Sequence, residues 1–131
     1  MKWMKPLCLL CAALPGQAWG EPAQIKLNQV APAETACRLT FTAKAETGLS
    51  ALRLEAVLFD KAGQVMQLSL FDFQDLPAAR LRVRQFDIAQ TDCADLGQIL
   101  FNGVERCKTL GGATCDGLPS FGSRAGVEVL G

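Results

Sequence analysis

Apolar and polar residues alternate along most of the chain after residue 24, with the period of two that is typical of β-strands. The clearest segment is residues 37–44, where Cys37, Leu39, Phe41 and Ala43 are separated by polar residues. Such alternation predicts a strand in a sheet that has one buried face and one solvated face. An earlier strand around Ile25 and Leu27 is predicted to end at Pro32.

A β-hairpin is predicted between residues 49 and 71. The inward face of its first strand is formed by Leu52, Leu54, Ala56 and Leu58. Val57 and Phe59 make the far end of this strand apolar on both sides, which is typical of a central strand. A tight turn at residues 60–63 leads into a returning strand that places three residues on one side: Met66, Leu68 and Leu70.

The remaining segments predict shorter strands. One runs from Arg80 to Phe86, and a hairpin is predicted at Asn102-Gly103, because a type I′ turn needs positive φ at both central residues. A one-turn helix around residues 94–98 is the alternative near this hairpin. The tail after Cys107 is expected to be irregular apart from a last strand near residues 127–130. About seven short strands separated by turn signals predict an all-β fold, a single antiparallel β-sandwich.

The first 20 residues have the features of a secretory signal peptide. Two lysines precede an apolar run at residues 7–14, and the small residues Ala18 and Gly20 lie at positions −3 and −1 before the expected cleavage site. The run has about eight residues, far fewer than the ~20 that span a bilayer, so we expect cleavage rather than a membrane anchor. The predicted organisation is a signal peptide at 1–20 and one β-sandwich domain at 21–131. The domain is expected to be periplasmic or secreted, with no transmembrane segment.

Cleavage leaves four of the six cysteines: Cys37, Cys93, Cys107 and Cys115. In an exported chain they predict two disulfides, for which three pairings are possible. We favour Cys37 with Cys93 and Cys107 with Cys115. The chain contains no histidine, and these four cysteines include no Cys-x-x-Cys pair, so neither a zinc site nor a redox centre is expected. No metal or other cofactor is predicted.

Strand, turn and cysteine signals extend over most of the chain after residue 20. They include Ala36-Cys37-Arg38, residues 54–60 with Gly63, Phe86-Asp87-Ile88, Cys93 with Leu96-Gly97, and Asn102, Val104 and Cys107. Together these signals resemble a family of small exported bacterial proteins, mainly alphaproteobacterial, of uncharacterised function. The resemblance implies an immunoglobulin-like β-sandwich stapled by disulfides, and it implies no particular catalytic or binding residue.

Charge and composition leave few candidates for chemistry. Without the two signal-peptide lysines the chain has 11 basic and 13 acidic residues, a balance that does not favour binding to nucleic acid. The lack of histidine excludes Ser-His-Asp and Cys-His catalytic arrangements. The carboxylate pairs Asp72/Asp75 and Asp92/Asp95 are interpreted as turn and capping residues. No catalytic residue is therefore predicted.

The strongest binding candidate is a set of three residues that we call the arginine stripe, namely Arg80, Arg82 and Arg84. Their spacing of two places them on one face of one strand. A solvated outer face or protection of a sheet edge is the alternative to binding an anionic partner.

The expected function is non-catalytic. An unknown envelope protein is the expected partner, contacted through loops or through a free strand edge, so the chain would be an interaction or accessory module. A soluble inhibitor or small-ligand-binding protein is the alternative, and ligand binding would require a concave apolar pocket. Exposed phenylalanines (Phe71, Phe73 or Phe121) beside the arginine stripe would favour a protein partner, although phenylalanine is more often buried in a core. A phenylalanine-lined cavity would favour a ligand.

Overall fold

A computed structural model describes residue 4 and residues 20–131. The predicted signal peptide lies outside the described residues except for Met4 and Gly20, so its cleavage stays a prediction. Within the described residues, no helix is long and apolar enough to cross a membrane. The regular elements are one 3-10 turn (Cys93–Asp95) and the strands β1 (Gln24–Ala33), β2 (Ala36–Lys44), β3 (Leu49–Asp60), β4 (Val65–Asp72), β5 (Arg82–Ile88), β6 (Leu96–Thr109), β7 (Ser120–Ser123) and β8 (Glu128–Leu130).

The strands form two four-stranded sheets that share one core. The first sheet has the order β5-β2-β1-β7, and the second has the order β4-β3-β6-β8. Over the first six strands, the chain passes to the second sheet at β3, returns at β5 and crosses again at β6, as in immunoglobulin-like sandwiches. The predicted all-β, immunoglobulin-like β-sandwich is therefore confirmed. Its strands pair antiparallel except at the C-terminus, where β7 lies parallel to β1 and β8 parallel to β6.

The core between the sheets is built from alternate strand residues, as the sequence pattern predicts. All of the predicted inward residues of β2 and β3 are fully buried, with no exposed area: Cys37, Leu39, Phe41, Ala43, Leu52, Leu54, Ala56 and Leu58. Phe41 lies at the centre, because its ring centroid is 5.6–6.0 Å from those of Phe71, Phe73, Phe86 and Phe101. Edge and tilted contacts of this kind add to the free energy gained from apolar burial.

Both favoured disulfides are confirmed. Cys37–Cys93 joins β2 to the 3-10 turn across 56 residues of sequence, with the Cα atoms 5.0 Å apart. Cys107–Cys115 joins β6 to the loop that follows it across 8 residues, with the Cα atoms 5.4 Å apart. Disulfides persist in oxidising compartments, so the two bonds support an extracytoplasmic location.

The predicted end of the first strand is wrong. β1 continues through Pro32, which faces Cys37 on β2. On its other side β1 pairs with β7 only over residues 24–27. Pro32 therefore lies where β1 has a single neighbour, and a residue without a backbone N–H is tolerated there.

The predicted hairpin at Asn102-Gly103 is also wrong. β6 runs unbroken through these residues, and Asn102 is the extra residue of a β-bulge between the pairs Gly103–Glu55 and Phe101–Ala56. The Asn102 side-chain amide donates to a carboxylate oxygen of Glu55 at 3.1 Å. Pairing with β3 along the length of β6 outweighs the local turn preference of Asn-Gly.

Three further boundaries differ from the prediction. β5 begins at Arg82 rather than Arg80, because residues 76–79 bridge to the ends of β2 and β3 instead. The alternative helix at 94–98 is only a 3-10 turn that ends at Asp95, where β6 takes over. The tail contains β7 as well as the expected last strand.

Candidate protein-interaction surface

The arginine stripe does not form a continuous outer face. Arg82 and Arg84 share a face as predicted. They pair in register with Ala43 and Phe41, whose side chains point into the core, so the shared face is the inner one. Both arginines are half-buried at the side of the sandwich, while Arg80 is exposed and precedes the strand.

The guanidinium of Arg84 is occupied by backbone carbonyls. Its Nε donates to the carbonyl of Phe73 at 2.7 Å, and its Nη2 donates to the carbonyl of Asp75 at 2.9 Å. These bonds tie β5 to the segment that crosses from the second sheet to the first. A charged donor bonded to carbonyls stabilises this crossing. A binding role for the stripe stays a prediction, and Arg80 and Arg82 are its more accessible members.

The outer face of the first sheet is mostly polar, although Val83 on β5 pairs with Thr42 there and is 54% exposed. Its β2 residues are Arg38, Thr40, Thr42 and Lys44. Arg38 donates to both carboxylate oxygens of Asp87 on β5, at 2.8 and 3.0 Å. This hydrogen bonding, with the arginine charge adding to it, holds the pKa of Asp87 below its ordinary value and raises the pKa of Arg38. A polar outer face is the usual state of an antiparallel sheet that is solvated on one side.

The outer face of the second sheet is different, because four apolar residues cross it in register. Leu68 on β4 pairs with Val57 on β3, Val57 pairs with Leu100 on β6, and Leu100 pairs with Leu130 on β8. Directly paired residues of neighbouring strands lie on the same face of a sheet. We call these four residues the apolar row.

Further apolar residues widen the row at the β3–β4 side. Leu70 follows Leu68 on the same face of β4, and Val65 pairs with Phe59. Leu68 is 62% exposed, and Leu70 and Val65 are each 56% exposed. Contiguous exposed apolar surface of this kind marks interaction sites more often than isolated apolar residues do.

The phenylalanines do not supply this surface. Phe71 and Phe73 are buried in the core. Phe121 is half-buried and stacks on Phe101, with ring centroids 4.6 Å apart. The alternative of an exposed phenylalanine patch therefore does not hold, and the favoured prediction of core burial is confirmed for Phe71 and Phe73. The sequence signal for the row was the apolar residues on both sides of β3, such as Val57.

One aspartate of each carboxylate pair, Asp72 and Asp92, has the predicted turn or capping role. Asp72 accepts a hydrogen bond from the backbone N–H of Gln74 at 2.8 Å. Asp92 caps the 3-10 turn by accepting from the backbone N–H of Ala94 at 3.0 Å. Side chains that bond to the backbone two residues later are typical of turns.

Two concave features of the described surface bear on ligand binding. A groove of about 880 Å³ has three acidic residues in its lining, Glu21, Glu46 and Asp116. A small apolar cavity of about 120 Å³ is lined in part by Phe101 and Phe121. Pockets for drug-sized ligands usually measure roughly 300–1,000 Å³ and enclose most of the ligand. The groove has such a volume but is wide open to solvent, and the cavity is too small.

No protein-family model and no curated protein matches this chain. Among solved structures, it is similar to IrmA from Escherichia coli, with a TM-score of 0.58 and 13% sequence identity. The similarity covers 80% of this chain and 92% of the IrmA chain. At this level of identity, the likeness shows the β-sandwich fold alone.

Proposed function

We propose that this protein is an exported, non-catalytic interaction module of the bacterial envelope that binds another envelope protein through the apolar row. The single observation that carries the proposal is the contrast between the two outer faces. The first sheet presents mainly threonine, arginine and lysine to solvent, with Val83 exposed on its edge strand. The second sheet exposes a contiguous group of apolar residues, Val65, Leu68 and Leu70, beside Leu100 and Leu130. The resemblance to small exported alphaproteobacterial proteins agrees with this proposal and stays a prediction.

The position of the row supports a protein partner rather than a ligand. The row lies on the open outer face of a sheet rather than in a pocket, and apolar surfaces with a polar rim suit protein interfaces. Glu55 and Arg53 lie on the same face of β3 beyond Val57, and Arg53 forms ion pairs with Asp72 and Glu105. These charges give the apolar surface a polar border on one side.

The small-ligand alternative is not favoured. The rings of Phe71 and Phe86 stack with centroids 4.4 Å apart, and Phe73 packs edge-on to Phe86 at 5.2 Å. These three phenylalanines therefore fill the space between the sheets, and the cavity beside Phe101 and Phe121 is too small, at about 120 Å³, for a drug-sized ligand. The arginine stripe is retained as a second hypothesis for an anionic partner, carried by Arg80 and Arg82.

The test is a crosslinked pull-down of the tagged protein from intact native cells, with three variants beside the wild type. Leu68→Ser/Leu70→Ser reduces the apolar surface. Leu81→Ser/Val83→Ser is the matched control, because these residues are 60% and 54% exposed near the other long edge strand. An Arg80→Ala/Arg82→Ala variant tests the arginine stripe. Substitutions at exposed positions change stability by about 0.5 kcal/mol or less, so the two serine variants should fold. Arg82 is half-buried, so the fold of the arginine variant is checked by circular dichroism before the pull-down.

We expect one partner to be recovered with the wild type, the control and the arginine variant. Recovery with Leu68→Ser/Leu70→Ser should fall on the order of tenfold, which corresponds to about 1.4 kcal/mol of binding free energy. A partner that Leu68→Ser/Leu70→Ser retains would contradict a site at the apolar row. A partner lost only with the arginine variant would support the second hypothesis, and no specific partner would contradict both.

A further inference from the structure

Of the four strands at the sheet edges within residues 20–131, three carry features that discourage pairing with another chain. β7 and β8 are only four and three residues long. β5 points Arg82 and Arg84 toward the inner side of the sandwich. Short edge strands and inward-pointing charges are recognised protections against edge-to-edge pairing.

The fourth edge strand, β4, lacks these protections over most of its length. It has eight residues, and residues 65–71 include no charged residue and no proline. A bulge at Met66 interrupts the strand near the turn, but residues 67–72 pair regularly with residues 53–58 of β3. A long, uncharged and apolar edge is a template for adding another strand.

We infer that the strand added to β4 is β4 of a second copy of this chain, antiparallel to the first about a two-fold axis at Ser69. In this register Leu68 of one copy lies opposite Leu70 of the other on the outer face. Gln67 lies opposite Phe71 on the inner side. The two second sheets then form one continuous eight-stranded sheet.

The strand added to β4 comes from a second copy because the free edge of β4 is complementary to itself. A two-fold interface requires each patch to match its own copy, and β4 places leucine opposite leucine. The nearest charge on the strand, Asp72, falls opposite Met66 rather than opposite another carboxylate. No like charges are therefore opposed within the paired segment, whereas opposed like charges would destabilise a strand pair.

This inference goes beyond the proposed function and can fail separately from it. Edge pairing uses the backbone of β4 and leaves the half-buried Leu100 and the exposed Leu130 uncovered on the outer face, beside the buried Val57. The dimer would place two apolar rows on one sheet, so that one dimer presents two copies of the proposed partner site. Two linked sites raise avidity when a partner can engage both.

The experiment measures the mass of the purified protein by light scattering and sedimentation over a concentration series. Five paired residues on each strand make a small interface, so we expect a dissociation constant in the range of about 1–100 µM. Ser69→Lys opposes two like charges at the axis and should weaken association at least about tenfold. Ser120→Lys is the matched control, because Ser120 is also a half-exposed serine on an edge strand, and it should leave association unchanged.

A second pair of variants gives a positive signal. Ser69→Cys should be crosslinked into dimers by a short bis-maleimide, whereas Ser120→Cys should not. A wild type that stays monomeric throughout the series would overturn the inference. So would a dimer that Ser69→Lys leaves intact, or one that Ser120→Cys captures better than Ser69→Cys.

Discussion

The two disulfides should differ in their contributions to stability, because they close loops of very different length. In the chain-entropy account, a crosslink stabilises the folded state by restricting the unfolded chain, and the effect grows with the logarithm of loop length. The separations are 56 residues for Cys37–Cys93 and 8 residues for Cys107–Cys115. The expected contributions are about 4 kcal/mol and about 2.5 kcal/mol respectively.

The perturbation is replacement of both cysteines of one disulfide by alanine, which leaves no free thiol. Cys37 and Cys107 are both buried, so each double variant also loses similar packing. The difference between the two losses, about 1.5 kcal/mol, therefore reports the loop length.

The assay is equilibrium unfolding in urea at 25 °C, with the free energy of unfolding extrapolated to water. We expect the Cys37→Ala/Cys93→Ala variant to be the less stable of the two. Equal losses, or a larger loss for Cys107→Ala/Cys115→Ala, would refute the loop-closure reasoning. They would indicate that the bonds act mainly through interactions in the folded state.

Two further changes test the packing and the electrostatics. Gly97→Ala places a Cβ 2.6 Å from the backbone carbonyl oxygen of Asp60 and should lower the free energy of unfolding in urea by about 1–3 kcal/mol. Gly103→Ala meets nothing within 4 Å and should change it by less than about 0.5 kcal/mol; equal effects would contradict the close contact. Carbon-13 NMR titration should find the pKa of Asp87 below its ordinary 3.8, and Arg38→Ala should return it toward that value. Because the folded-state pKa of Asp87 is lowered, its contribution to the free energy of unfolding is present above pH 3.8. This contribution is lost as the pH falls through the folded-state pKa. An unchanged pKa in Arg38→Ala would contradict the assigned cause.

Strand position and burial could be predicted where they depend on local alternation. The segment 37–44 has one apolar face in sequence, and that face is fully buried in the structure. The turn at 60–63 could also be predicted, because it depends on local turn residues. Asp60 accepts hydrogen bonds from backbone N–H groups, and Gly63 adopts a φ of 81°.

Features that depend on partners distant in sequence could not be predicted. Asn102-Gly103 favours a turn locally, but β3 supplies a continuous partner strand across it. Proline often ends a strand, but Pro32 lies in a part of β1 that pairs only with β2, because β7 pairs with residues 24–27 alone. In both cases the structure around the residue, and not its own preference, decides the outcome.

The binding candidates depended even more strongly on the register between strands. The spacing of Arg82 and Arg84 predicts a shared face but cannot say whether that face is inward or outward. The same limit applies to Leu68 and Leu70, which share a side that proves to be the outer one. Predicting the apolar row would require the register of four strands. Leu130 on β8 pairs with Leu100 on β6, although a long loop and β7 separate the two strands in sequence.

The most direct test of the central claim is site-specific photocrosslinking in intact native cells. A photoreactive amino acid at position 100 probes the apolar row, and the same amino acid at position 42 probes the polar face of the first sheet. Both positions are half-exposed strand residues in the middle of a sheet. The account predicts a single crosslinked envelope protein from position 100 and none from position 42. Crosslinks from position 42 alone, or the same products from both positions, would contradict it.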